Sequence, residues 1–102
     1  MSTLIIYEVN IEVGEPIQRE FLSWLTDHIQ QMEKLPGFLP KTEVLKLESE
    51  QGLDLSIRYH LQSMIAMEGY FAENAERMRG DLPENFKSHL KFSRRVLQPY
   101  KL

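Results

Sequence analysis

Four side chains in this sequence join a flat apolar body to a polar tip: Tyr7, Trp24, His28 and Tyr59. Groups of this kind build apolar walls that end in hydrogen-bonding atoms. A histidine among them titrates near neutral pH and can act as acid or base. Trp24 and His28 are four residues apart, so on a helix they share a face. Tyr7 and Tyr59 each sit in a segment where apolar and polar residues alternate. If those segments are neighbouring strands, parity sends both tyrosines to the same side of a sheet. The four then line a ligand cleft between sheet and helices, or they fill a core in which each polar tip is paired internally. The spacing leaves both open.

A second constellation has the opposite parity: Glu8, Asn10, Ser56, Arg58, His60, Ser93 and Arg95. Glu8 and Arg58 suit a cross-strand ion pair. Three roles fit such a face: a wet interface between two copies, a solvated surface, or a polar pocket. The candidates for interface contact are Glu8, Asn10, Arg58, His60 and Arg95.

Other chemistries find little footing. The chain has no cysteine, so disulfides, thiolate metal sites and a cysteine nucleophile are excluded. His28, His60 and His89 fall on different elements and show no helical metal-ligand spacing, so no metal centre is expected. No phosphate-cradling glycine motif or nucleophile elbow is present. Lys plus Arg is 12 against 15 Asp plus Glu, a formal net charge of −3, which argues against recognition of phosphate backbones. The face that would stack RNA bases carries Leu4, Ile6, Glu8 and Asn10, then Asp54, Ser56, Arg58 and His60. It has no large ring, and Glu8 and Asp54 would repel phosphate. No nucleic-acid partner is expected.

The elements that must hold these residues can be read from the pattern. Thr3 to Val13 alternates as a strand and is broken by Gly14-Glu15-Pro16. A helix from Pro16 to Lys34 carries the stripe Ile17, Phe21, Trp24, Leu25, His28 and Met32, and Leu35-Pro36-Gly37 ends it. Two strands follow, within Phe38 to Glu50 and over Leu53 to Leu61, with Gln51-Gly52 as the turn. A second helix from Met64 to Arg79 has Ser63 as its N-cap and the stripe Met64, Met67, Phe71, Ala75 and Met78. Asp81-Leu82-Pro83-Glu84 predicts a capping box for a short helix. A last strand spans Leu90 to Gln98. The chain of 102 residues and 12.0 kDa suffices for one domain, and 1–102 reads as a single unit. The order β-α-β-β-α-β, with a short extra helix before the last strand, predicts an α+β ferredoxin-like sandwich. Its helices cover one face of a four-stranded antiparallel sheet. The other face would leave Leu4, Ile6 and Leu97 exposed unless a second copy covers them. The apolar run Leu4-Ile5-Ile6-Tyr7 stops at Glu8, too short for a signal peptide or a spanning helix. No membrane association is expected, and the protein reads as cytoplasmic.

From Tyr7 to Leu97 the chain resembles a domain-of-unknown-function family of small proteins with a ferredoxin-like, dimeric α/β-barrel type of fold. Tyr7-Glu8-Val9-Asn10-Ile11, Trp24 with His28-Ile29, Gly37-Phe38, Gly52-Leu53, Ser56-Ile57-Arg58-Tyr59, Ser63-Met64 and the stretch Phe92 to Leu97 carry the likeness. The sequence departs from the pattern where His28 lies one residue nearer the tryptophan and Gln30 stands where a proline is common. The resemblance implies a homodimer whose two sheets pack face to face, and a ligand cleft between sheet and helices near Tyr7, Trp24, His28 and Tyr59. Haem-degrading members of the wider superfamily place polar and aromatic residues in that cleft. Asn10 has the parity of the opposite face, so no haem or other cofactor is expected. The expected function is small-molecule binding in the cleft, extending to cofactor-independent catalysis, with a non-enzymatic dimerisation or protein-interaction module as the alternative. His28 should be largely buried, which disfavours its charged form, and Tyr7 or Tyr59 could hydrogen-bond a neutral ring.

Overall fold

The computed structural model describes residues 4–48 and 52–102. Thr3 of the expected first strand, residues 49–50 of the second and Gln51 of the expected turn lie outside them. Strand β1 spans Ile5–Val13, β2 Glu43–Lys46, β3 Leu53–Leu61 and β4 Leu90–Leu97. Helix α1 spans Gln18–Glu33, α2 Met64–Glu73 and α3 Ala75–Gly80, with short 3₁₀ segments at Glu15–Ile17 and Glu84–His89. The strands form one antiparallel sheet in the order β2-β3-β1-β4, which is the ferredoxin-like arrangement. Among the described residues, no helix is long and apolar enough to cross a membrane.

Alternation places the core. Ile5, Tyr7, Val9, Ile11 and Val13 of β1 are buried together with Leu55, Ile57, Tyr59 and Leu61 of β3. The helices lie over this face and add Phe21, Leu25, Met32, Met67, Tyr70 and Met78. The expected N-cap forms: Ser63 Oγ accepts from the Ala66 amide at 3.1 Å. The loop between α1 and β2 turns at Gly37, whose φ is +83°. A Cβ there would lie 2.3 Å from the Ala66 Cβ. Glycine is therefore needed twice, for the left-handed backbone and for the close approach of α2.

Three sequence expectations are corrected. The helix expected from Met64 to Arg79 bends at Asn74, where φ reaches −126°. The Asn74 amide still bonds the Tyr70 carbonyl at 2.9 Å, and the Met78 amide bonds the Asn74 carbonyl at 2.9 Å, so the chain is redirected rather than released. The buried residues of α2 and α3 are Met67, Tyr70, Ala75 and Met78, while Met64 and Phe71 are exposed. The segment before β4 is a 3₁₀ helix with Pro83 at its N-cap position, which has no side-chain acceptor, so the capping box from Asp81 does not form. The second strand is shorter than the expected span. Phe38 makes only an isolated bridge to Leu61 before β2 begins at Glu43.

Candidate functional site

Tyr7 and Tyr59 are directly paired across β1 and β3, and their rings stack with centroids 6.0 Å apart. Tyr70 comes down from α2 to 5.5 Å from Tyr7, so three phenols share the floor of a gap between sheet and helices. Trp24 and His28 stand on α1 at the mouth of the same gap, stacked at 4.5 Å with planes 16° apart. The structure thus brings Tyr7, Trp24, His28 and Tyr59 to one cleft, which also takes in Met78 and Arg79 from α3, Leu82, and Phe92 and Arg94 from β4. Its cavity volume is about 60 Å³, room for a few water molecules or a small substituent.

The cleft lies where it does because β4 is an edge strand. Phe92 and Arg94 pair with Ile11 and Val9 of β1 and so take the helix-side parity. They remain partly or fully exposed beyond the cover of the helices. The Arg79 guanidinium closes one side by donating to the Tyr7 hydroxyl at 3.1 Å. Arg94 lies 4.9 Å above the Phe92 ring. Burial raises the Tyr59 hydroxyl pKa beyond the ordinary phenol range and pushes that of Tyr70 up to about 12, so both stay protonated donors at neutral pH.

His28 departs from expectation. It is half-buried where a largely buried ring was expected, and its partner is the Trp24 ring, not a hydroxyl of Tyr7 or Tyr59. Desolvation holds its pKa below the usual histidine value, and the charge of Asp81 partly offsets this. Its ring is therefore neutral at pH 7. Asp27, its neighbour in sequence, plays no part in this shift.

The opposite sheet face carries Glu8, Asn10, Arg58, His60 and Arg95 as parity requires. Register puts Glu8 directly between Arg58 and Arg95, and Asn10 between Ser56 and Ser93. Glu8 is 1% exposed and accepts from Arg58 Nε at 3.1 Å, Arg95 Nε at 2.5 Å and Asn10 Nδ2 at 2.9 Å. The Asn10 and Arg95 hydrogen bonds hold its carboxyl below the usual range against the cost of burial. His60 pairs with Glu43 of β2 at 2.8 Å. Leu4, Ile6 and Leu97, expected to be exposed, are half-buried by their neighbours on this face. Among the described residues, no three of His, Asp and Glu come together as a metal site.

Sequence reasoning missed Tyr70, Arg79 and Arg94 in the cleft. For Arg94 the signal was available, since it shares parity with Phe92 and Val96. Tyr70 lies on a helix that is apolar nearly all the way round, and Arg79 lies past the break at Asn74, which periodicity does not show.

Solved structures share this fold over nearly the whole chain. SnoaB, a cofactor-independent oxygenase from Streptomyces nogalater, superposes with a TM-score of 0.71 at 13% identity, covering 99% of this chain and 97% of its own. A dimeric ferredoxin-like protein from an uncultured marine organism gives 0.70 at 12% identity, with 100% and 99% covered. The heme-degrader MhuD from Mycobacterium tuberculosis, with two hemes bound in its active site, gives 0.69 at 17% identity, with 93% and 94% covered. At these identities the likeness is one of fold. No curated protein matches the sequence. The profile of the domain of unknown function DUF4286 matches residues 4–100, and the chain belongs to that family.

Proposed function

We propose that the chain is a cytoplasmic homodimer that binds a small molecule in the cleft between sheet and helices. The observation that carries this is the stacked Trp24–His28 pair, left half-exposed above a floor of three phenols. Both rings are only half-buried and line the cleft beside Arg79 and Arg94, apolar walls with polar tips of the kind ligand sites use. A broad ligand screen read by the fluorescence of Trp24, the single tryptophan, tests the reading. A ligand-dependent change in its emission is expected. No change across the screen would favour the alternative, a dimerisation or protein-interaction module.

The dimer is proposed through the open sheet face. That face mixes the Glu8 ion cluster with the exposed Leu45 and Leu47 and the half-buried Leu4, Ile6 and Leu97. Polar rungs flanked by apolar side chains suit a wet interface, and a neighbour of the same fold is dimeric. Light scattering at micromolar concentration should return twice the 12.0 kDa chain mass, and the chain mass alone would overturn the dimer.

One observation favours catalysis as a second reading. His28 is a neutral imidazole at the mouth of the cleft, which is the protonation state a general base requires. Cofactor-independent oxygenase activity, as in SnoaB, belongs to this second reading.

A further inference from the structure

We infer that the cleft recognises an anionic group, a carboxylate or its equivalent, on a flat apolar ligand, and that Arg79 and Arg94 hold it. This rests on the reading of the cleft as a small-molecule site and names the chemistry of its ligand.

The charge of the cleft runs against that of the chain. The sequence carries 15 acidic and 12 basic residues. The cleft is nevertheless lined by two arginines and a histidine, with no aspartate or glutamate. Carboxylates act on it only from beyond the lining, Asp81 on His28 and Glu33 on Tyr59. Among the described residues, neither guanidinium lies within ion-pair distance of a carboxylate, while Arg58 and Arg95 on the opposite face share Glu8.

The two arginines also converge. Both line the cleft that Tyr70 also lines, Arg79 from α3 and Arg94 from β4. Arg79 gives a hydrogen bond to Tyr7, which is a neutral partner and leaves the charge and most of its five N–H donors uncommitted. Arg94 rests over the Phe92 ring at 4.9 Å, a contact that leaves its charge unneutralised. A guanidinium edge matches a carboxylate in a two-point geometry. The ligand body would lie against Trp24 and His28 at the surface, since a cavity of about 60 Å³ admits only a small substituent.

The test uses 2-naphthoate and its uncharged analogue 2-naphthamide, titrated into the full chain. The readout is the indole N–H resonance of Trp24 in NMR. At low salt, 2-naphthoate should bind about fivefold more tightly or better, the size expected of a partly solvated ion pair, and added salt should narrow the gap. Arg94→Gln should weaken 2-naphthoate more than 2-naphthamide, and Arg79→Gln should do the same. Arg77→Gln, on the exposed side of α3 where Arg77 bonds Asn74, should change neither. Equal affinities for the two probes, unaltered by Arg94→Gln, would overturn the anion site and leave the cleft standing. Failure of both probes to move the Trp24 resonance would overturn the anion site together with the cleft.

Discussion

Replacing Glu8 by Gln keeps the shape of the side chain and removes its charge. Two of its three donors are guanidiniums, and hydrogen bonds to charged groups contribute about 1.5–3 kcal/mol when well shielded. In the single chain the shielding is thin, and a wet interface of the kind proposed keeps water beside the pairs. Glu8 is covered because Arg58, Arg95 and Asn10 lie over it at the sheet surface, and the arginine side chains are themselves 37% and 64% exposed. Each guanidinium regains water when the carboxylate is lost, so each pair falls back to about 1 kcal/mol or less. The remaining amide oxygen keeps one acceptor while the amide nitrogen faces a donor. Glu8→Gln should therefore cost about 1–2 kcal/mol at pH 7. The effect must depend on pH with a definite sign. The folded carboxyl titrates below its unfolded value, so its stabilisation is complete above an unfolded pKa of about 4.3 and is lost as pH falls through the folded value. Urea unfolding of both proteins from pH 7 to pH 3, at one protein concentration because a dimer's apparent stability depends on it, should show a gap that closes toward pH 3. A gap that stays constant over that range, or none at pH 7, would refute the reasoning.

Gly37→Ala should destabilise by about 2 kcal/mol or more, because it combines a left-handed backbone with a Cβ 2.3 Å from that of Ala66. A melting temperature within a degree of the parent would contradict the close approach of α2. NMR titration of His28 should give a pKa below about 6.5, and Asp81→Asn should lower it further, since the aspartate opposes the effect of burial. The linked stability is present above the unfolded histidine pKa and lost as pH falls toward the folded one, because the unfolded ring takes up its proton first. A rise in the His28 pKa on Asp81→Asn would show that the two groups do not interact as described.

The sheet was the most legible part of the sequence. Leu53 to Leu61 alternates without a break, and parity with β1 was enough to put Tyr7 and Tyr59 on one side and Glu8 with Arg58 on the other, while the register that pairs Tyr7 with Tyr59 came from the structure. Period-two patterns report a binary quantity, the side of a sheet, and one error would have inverted every residue. The second helical region was harder because α2 is apolar nearly all the way round, so no stripe stands out, and Tyr70 and Phe71 compete for the core as neighbours. Packing against Tyr7 and Phe38 goes with the burial of Tyr70, while Phe71 is left exposed. The candidate site was legible to the extent that it is built from β1, β3 and α1. Its cationic side was not, because Arg79 depends on the helix bend and Arg94 on which part of an edge strand the helices leave uncovered.

The position of β1 in the sheet has a consequence for how the domain is made. It pairs on one side with residues 53–61 and on the other with residues 90–97. On the ribosome it emerges first, yet its second hydrogen-bonding edge stays open until some eighty further residues have been translated. Closing a loop of that length must precede any reward from the pairing, which makes the step slow and late. A nascent chain halted before Leu90 would carry an unprotected central strand and a cleft missing the side formed by Phe92 and Arg94. Such an intermediate offers a free β edge to chaperones or to other nascent copies. Co-translational assembly between neighbouring chains would then compete with completion of the sheet within one chain.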